Sequence, residues 1–125
     1  MPLTPLLYDL TLLYLALTYG ADGHLAEVEL DEMHAQLEKW APGINPTRLD
    51  HIVNEAMLGY TNGLEGRRID DLLTRLYHGL EPPARRQVLD DLRSLARADS
   101  TVHSEEVSFI KRVEAAWADE AEING

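Results

Sequence analysis

Apolar residues recur along this chain at three- and four-residue intervals in successive runs, and no alternating apolar–polar stretch is long enough for a strand. The first run, Leu3 to Ala21, is apolar on nearly every side, which predicts a helix surrounded by its neighbours rather than one lying on a surface. Thr4-Pro5 supplies a cap followed by a first-turn proline, placing this helix at about Pro5 to Ala21, and Asp22-Gly23 ends it. A second stripe, Leu30, Met33, Leu37 and Trp40, faces one side and stops at Ala41-Pro42-Gly43. Asn45-Pro46 opens a third helix with Leu49, Ile52, Val53, Ala56, Met57 and Tyr60 on its apolar face, closed by the turn signals Asn62-Gly63 and Gly66. Ile69, Leu72, Leu73, Leu76 and Tyr77 define a fourth, ended by Gly79. Pro82-Pro83 begin a fifth with Val88, Leu89, Leu92, Leu95 and Ala96, and Val107, Ile110, Val113 and Trp117 mark a sixth. The acidic tail Ala118 to Gly125 is expected to fray. The pattern predicts one all-α domain over residues 1–125, a compact bundle of about six or seven helices.

Two stretches share a grammar. Ala21-Asp22-Gly23-His24-Leu25-Ala26-Glu27-Val28-Glu29-Leu30 overlays Ala98-Asp99-Ser100-Thr101-Val102-His103-Ser104-Glu105-Glu106-Val107 at an offset of 77 positions. Ala21 meets Ala98, Asp22 meets Asp99, Leu25 meets Val102 and Glu29 meets Glu106. Leu12 and Leu15 fall on Leu89 and Leu92, and Trp40 falls on Trp117. Most other positions differ, but the order of features is the same: apolar helix, Ala-Asp, short loop, Glu, second apolar helix. This suggests an internal pseudo-twofold repeat with halves at about 5–40 and 82–117.

These residues resemble the TerB family of tellurite-resistance proteins and the wider group of TerB-like domains, whose mark is an Ala-Asp-Gly turn followed, seven residues after the Asp, by a Glu in both halves of an all-helical domain. Asp22 with Glu29 fits fully. Asp99 with Glu106 departs at Ser100, where the family usually has Gly; if that position needs a positive φ, Ser costs on the order of 1 kcal/mol. Either the second loop takes another shape or its metal role has decayed. The resemblance implies a link to tellurite resistance and stress response, with metal binding by the shared acids, and it implies no reaction.

Physical chemistry treats the acids unequally. Glu29 and Glu106, beside Glu27 and Glu105, stand near helix N-termini, where the macrodipole favours negative charge by roughly 0.3 to 1 kcal/mol. That alone explains glutamates there. Asp22 and Asp99 follow helix C-termini, where charge of that sign is disfavoured, so an Asx-turn or a ligand must hold them. If all four converge, they repel and either raise their pKa values or recruit a cation. Oxygen donors suit Ca²⁺, Mg²⁺ or Mn²⁺; His24 and His103, lesser candidates within the loops, tilt toward a transition metal, with Zn²⁺ less favoured. The spacing is not that of an EF-hand, whose third position bears an oxygen ligand where His24 and Thr101 stand here, nor of a di-iron bundle, which needs Glu-x-x-His twice.

Other conspicuous residues read as structure. His51-x-x-x-Glu55 is explained by a solvated helix face. Trp40 and Trp117 plug matching ends of the core, and Tyr14, Tyr60 and Tyr77 need hydrogen-bond partners on apolar faces. Arg67-Arg68 and Arg85-Arg86 sit at helix starts against the dipole, without a structural motive in the sequence, and are candidates for contacts with the acidic surface or a partner.

Charge narrows the partners. With 22 acids against 11 Lys and Arg the formal charge is -11, which opposes nucleic acid and favours a metal ion or a basic protein surface. There is no Cys, so disulfides, thiolate metal sites and Cys nucleophiles are excluded. The apolar N-terminus lacks a preceding Lys or Arg and is interrupted by Asp9, Thr11, Thr18 and three tyrosines, which argues against a signal peptide or membrane insertion and for a cytoplasmic protein. The sequence leaves the oligomeric state open. The expected function is a non-enzymatic module that binds a divalent metal ion through paired acidic loops; the alternative is a metal-free interaction adaptor with an acidic groove. No nucleophile constellation, phosphate loop or oxyanion turn supports a hydrolase.

Overall fold

The computed structural model describes residues 3–22, 27–61, 66–98 and 104–118, with side chains at all of these except 3–4, 19–22, 61 and 66–68. They form six helices and no strand: α1 (Leu3–Asp22), α2 (Glu27–Trp40), α3 (Pro46–Thr61), α4 (Gly66–Gly79), α5 (Pro82–Ala96) and α6 (Ser104–Trp117). The expected left-handed Gly23, the Asn62-Gly63 turn and the fraying of residues 119–125 lie outside the described residues.

α1 is the axis of the bundle. It touches each of the other five helices, and every side chain from Asp9 to Thr18 is buried. A helix covered all round cannot present a polar face, so its polar residues are satisfied locally or by specific partners. Thr11 and Thr18 donate to the carbonyls of Leu7 and Tyr14, at 2.7 and 2.9 Å. Asp9 accepts from Arg75 of α4. The remaining contacts pair α1 with α2 and α5 with α6, and cross them as α1 with α6 and α2 with α5. α3 lies on α1, and α4 on α1 and α6.

The helix ends follow their local chemistry. Asn45 caps α3, its Oδ1 accepting from the backbone N–H of Thr47 at 2.8 Å and of Arg48 at 3.4 Å. Gly43 takes a φ of 82°, the left-handed geometry that lets the chain turn between α2 and α3. α1 begins at Leu3, two residues before the expected start at Pro5.

Two expectations are corrected. Val107, counted in the inward stripe of the sixth helix, is 40% exposed; Glu106, one position earlier, is buried in its stead. In the first turn of α6 the acid is the inward residue. Arg85, expected to lack a structural motive, is buried and holds the end of α4: its Nη1 donates to the carbonyls of Tyr77 and Leu80 at 2.9 and 2.6 Å, and its guanidinium lies 4.1 Å from the centre of the Tyr77 ring. A cation there neutralises the negative end of α4 and satisfies carbonyls that the helix leaves without amide partners. Arg67 and Arg68 lie outside the described side chains.

Candidate functional site

The four acids singled out in the sequence are described unequally. Asp22 is the last residue of α1, its side chain outside the described set; Asp99, His24 and His103 lie outside the described residues. Glu29 and Glu106 occupy corresponding places in the first turns of α2 and α6, and both are buried, at 3% and 1% exposure. Their neighbours Glu27 and Glu105 are exposed. Each buried glutamate is engaged by other groups. Helices α1 and α5 each touch both α2 and α6, so the helices carrying the two glutamates share the same two neighbours.

The burial changes the energetic argument. An exposed first-turn carboxylate gains roughly 0.3 to 1 kcal/mol from the macrodipole, whereas taking an ion out of water costs several kcal/mol unless charge or hydrogen bonds compensate it. The dipole accounts for Glu27 and Glu105 where they stand, in water. In the interior, Glu29 and Glu106 depend as well on the groups that engage them. Among the described residues no group of three or more His, Cys, Asp or Glu side chains is placed to share a metal ion. Carboxylate oxygens are donors of the kind a hard cation takes, and of the four acids expected to bind one only Glu29 and Glu106 have described side chains.

A second polar centre, which sequence reasoning missed, lies around Asp91 of α5, 2% exposed. Its Oδ2 accepts from the Tyr14 hydroxyl and from Trp40 Nε1, both at 2.9 Å, and its Oδ1 accepts from Gln87 Nε2 at 2.9 Å. Its backbone carbonyl accepts from Gln36 Nε2 at 2.8 Å. One buried carboxylate thus ties α1, α2 and α5 together. Burial first, then the negative charge and hydrogen bond of Asp91, push the Tyr14 hydroxyl well above the ordinary tyrosine range, and the Trp40 hydrogen bond only partly offsets this. Tyr14 is a neutral donor across the physiological range.

Two signals could have found this centre. Asp91 follows Val88 by three positions and precedes Leu95 by four, so an acid sits in the inward stripe of its helix, and Gln36 likewise follows Met33 by three. The other signal is the offset of the overlay: Tyr14 and Asp91 are separated by the same 77 positions, and they bond to each other. The paired tryptophans diverge. Trp117 is buried and donates to the Leu73 carbonyl at 2.9 Å, while Trp40 is half-buried and donates to Asp91.

No helix among the described residues is long and apolar enough to cross a membrane. The family model for tellurite resistance protein TerB matches residues 10–118, a span that includes both Ala-Asp turns, both buried glutamates and Asp91. No curated protein and no solved structure matches the chain.

Proposed function

The chain belongs to the TerB family of tellurite resistance proteins, and on that premise we propose that it is a non-enzymatic module that takes up a divalent cation at its two acidic helix junctions. In this reading Glu29 and Glu106 supply interior carboxylates, and Asp22 and Asp99, seven residues before each of them in the chain, supply the other pair. A bound ion would add positive charge beside glutamates that other groups also engage; the chain's own part is to present Glu29 and Glu106 from the first turns of α2 and α6. Ca²⁺, Mg²⁺ and Mn²⁺ match oxygen donors, with His24 and His103 the residues that would widen the choice to Zn²⁺.

The observation that carries this reading is the matched burial of Glu29 and Glu106 beside exposed Glu27 and Glu105. Capping and the helix dipole favour an acid in the first turn, but they favour it equally well in water. Support for treating the two junctions as one design comes from the Tyr14–Asp91 hydrogen bond. Positions related by a twofold operation face one another where they lie near its axis, and this pair has the overlay's own spacing.

The test is the melting temperature of the chelated protein against added Ca²⁺, Mg²⁺, Mn²⁺ and Zn²⁺. An ion that binds only the folded chain stabilises it by about 2.7 kcal/mol at a hundred times its Kd. The expected result is a rise with at least one ion that is largely lost in Glu29→Gln and Asp22→Asn, each compared with its own metal-free form, and retained in Glu27→Gln. No rise with any of the four ions refutes the metal reading.

A further inference from the structure

A cleft of about 670 Å³ opens between the N-terminal half of α1, the middle of α3 and α4, lined by Pro5, Tyr8, Asp9, His51, Ile52, Glu55 and Arg75. Asp9 precedes Asp22 by thirteen residues of the same helix, roughly 20 Å at the α-helical rise, so the cleft is separate from the acidic junctions. Its size falls within the range of small-molecule sites, and it has their usual make-up, an apolar bed with a few charged groups on its walls.

The charges on those walls are not equivalent. Asp9, with its side chain 9% exposed, is held by Arg75 through two hydrogen bonds, Nη2 to Oδ1 at 3.2 Å and Nε to Oδ2 at 3.4 Å. That pair cancels its own charge, with Arg75 still 53% exposed at the cleft wall. On the α3 side Glu55 is 57% exposed, and His51 Nε2 lies 3.7 Å from its Oε1, a long contact on a side chain 74% exposed. With His counted neutral, two acids against one Arg leave the cleft one negative charge, centred on Glu55. The chain's formal charge of -11 adds an attraction for cations. Tyr8 also lines the cleft, and its hydroxyl end lies against Gly59 of α3, where an added Cβ would collide with it. The Tyr8 ring adds to the apolar lining of the cleft.

We propose that this cleft binds a small organic cation: an apolar body seated on Tyr8, Ile52 and Pro5, with one protonated amine directed at the Glu55 carboxylate. An anionic ligand is disfavoured there, because Asp9 already cancels the charge of Arg75 and Glu55 would face the added negative charge. The proposal is independent of the metal reading, since no residue is shared between the two sites.

The experiment is a chemical-shift titration of the ¹⁵N-labelled full chain, in chelator and at constant ionic strength, with three probes of like size: 2-phenylethylammonium, neutral 2-phenylethanol and anionic 3-phenylpropionate. The expected result is saturable shifts of the Tyr8, Ile52 and Glu55 amides with the ammonium, at a half-saturation on the order of 1 mM for a ligand of this size. The ammonium should bind most tightly of the three. Glu55→Gln, a change on an exposed helix face, should weaken it by about fivefold, the upper end of what an exposed ion pair contributes, while leaving 2-phenylethanol unchanged. Equal binding of all three probes, tighter binding of the propionate, an unaltered response in Glu55→Gln, or shifts that map away from the cleft would each overturn the proposal.

Discussion

Replacing Asp91 with alanine takes one acceptor away from three donors, and the cost can be apportioned from their exposure. Tyr14 is 0% exposed, so its hydroxyl cannot turn to water and bears the full penalty of an unmatched buried donor, about 1–3 kcal/mol. Trp40 is half-buried and Gln87 exposed, so each can exchange its bond for one to water at a net loss of about 1 kcal/mol. Asp91→Ala should therefore destabilise the fold by about 3–5 kcal/mol, a large part of the roughly 6–19 kcal/mol expected for a chain of this length. Asp91→Asn should cost less, about 1–2 kcal/mol. Its amide nitrogen can take the place of Oδ1, facing Gln87, whose exposed amide can rotate to accept; the Oδ2 position stays an oxygen for Tyr14 and Trp40. The sharper test is a double-mutant cycle with Tyr14→Phe. In the parent, Phe removes a bond to a charged group and should cost about 1.5–3 kcal/mol; in the Asp91→Ala background it removes an orphaned hydroxyl and should cost nothing or stabilise. Urea denaturation of the four proteins, with m-values compared, measures the coupling. A coupling below about 0.5 kcal/mol, or an Asn variant as damaged as the Ala variant, would refute the view of Asp91 as a shared buried acceptor.

Three further outcomes follow from the same contacts. Because the folded state holds the Tyr14 proton above the ordinary tyrosine range, its contribution to stability is complete below about pH 10 and is lost as pH rises from there through the higher folded value. Chemical denaturation between pH 9 and 11.5 should show that fall, shallower in Tyr14→Phe. Gly59→Ala, which in an open helix would stabilise by up to about 1 kcal/mol, should here lower the melting temperature because the new methyl meets the Tyr8 hydroxyl; combining it with Tyr8→Phe should restore the gain. Arg85→Met should destabilise by about 1–3 kcal/mol through the uncapped Tyr77 and Leu80 carbonyls, and hydrogen exchange should show the loss concentrated at the C-terminal turn of α4.

Much of the architecture could be read before any coordinates. A stretch as apolar as Leu7 to Leu17, too polar at Asp9, Thr11 and Tyr14 for a membrane, can be stable in water only with neighbours on every side, and α1 has five. The Asn45-Pro46 cap and the Gly43 turn obey local rules that do not depend on what lies across the core. Roles set by a neighbouring element were not visible in the apolar stripes. Arg85 had no visible purpose because the carbonyls it caps, those of Tyr77 and Leu80, lie at and just past the end of α4, and Val107 and Glu106 exchanged places because a first-turn stripe cannot reveal which residue the core will accept.

The candidate site divides along the same line. Linear order alone established that two Ala-Asp pairs each precede a glutamate by one spacing, that the fold class is all-α and that the chain is acidic, because these are matters of spacing and composition. Tertiary structure alone decided that Glu29 and Glu106 leave water while Glu27 and Glu105 stay in it, and that Tyr14, Trp40, Gln36 and Gln87 gather on Asp91. Burial and hydrogen-bond partnership are properties of how helices pack. A sequence fixes the face on which a side chain lies, and only the neighbouring helices fix what that face meets.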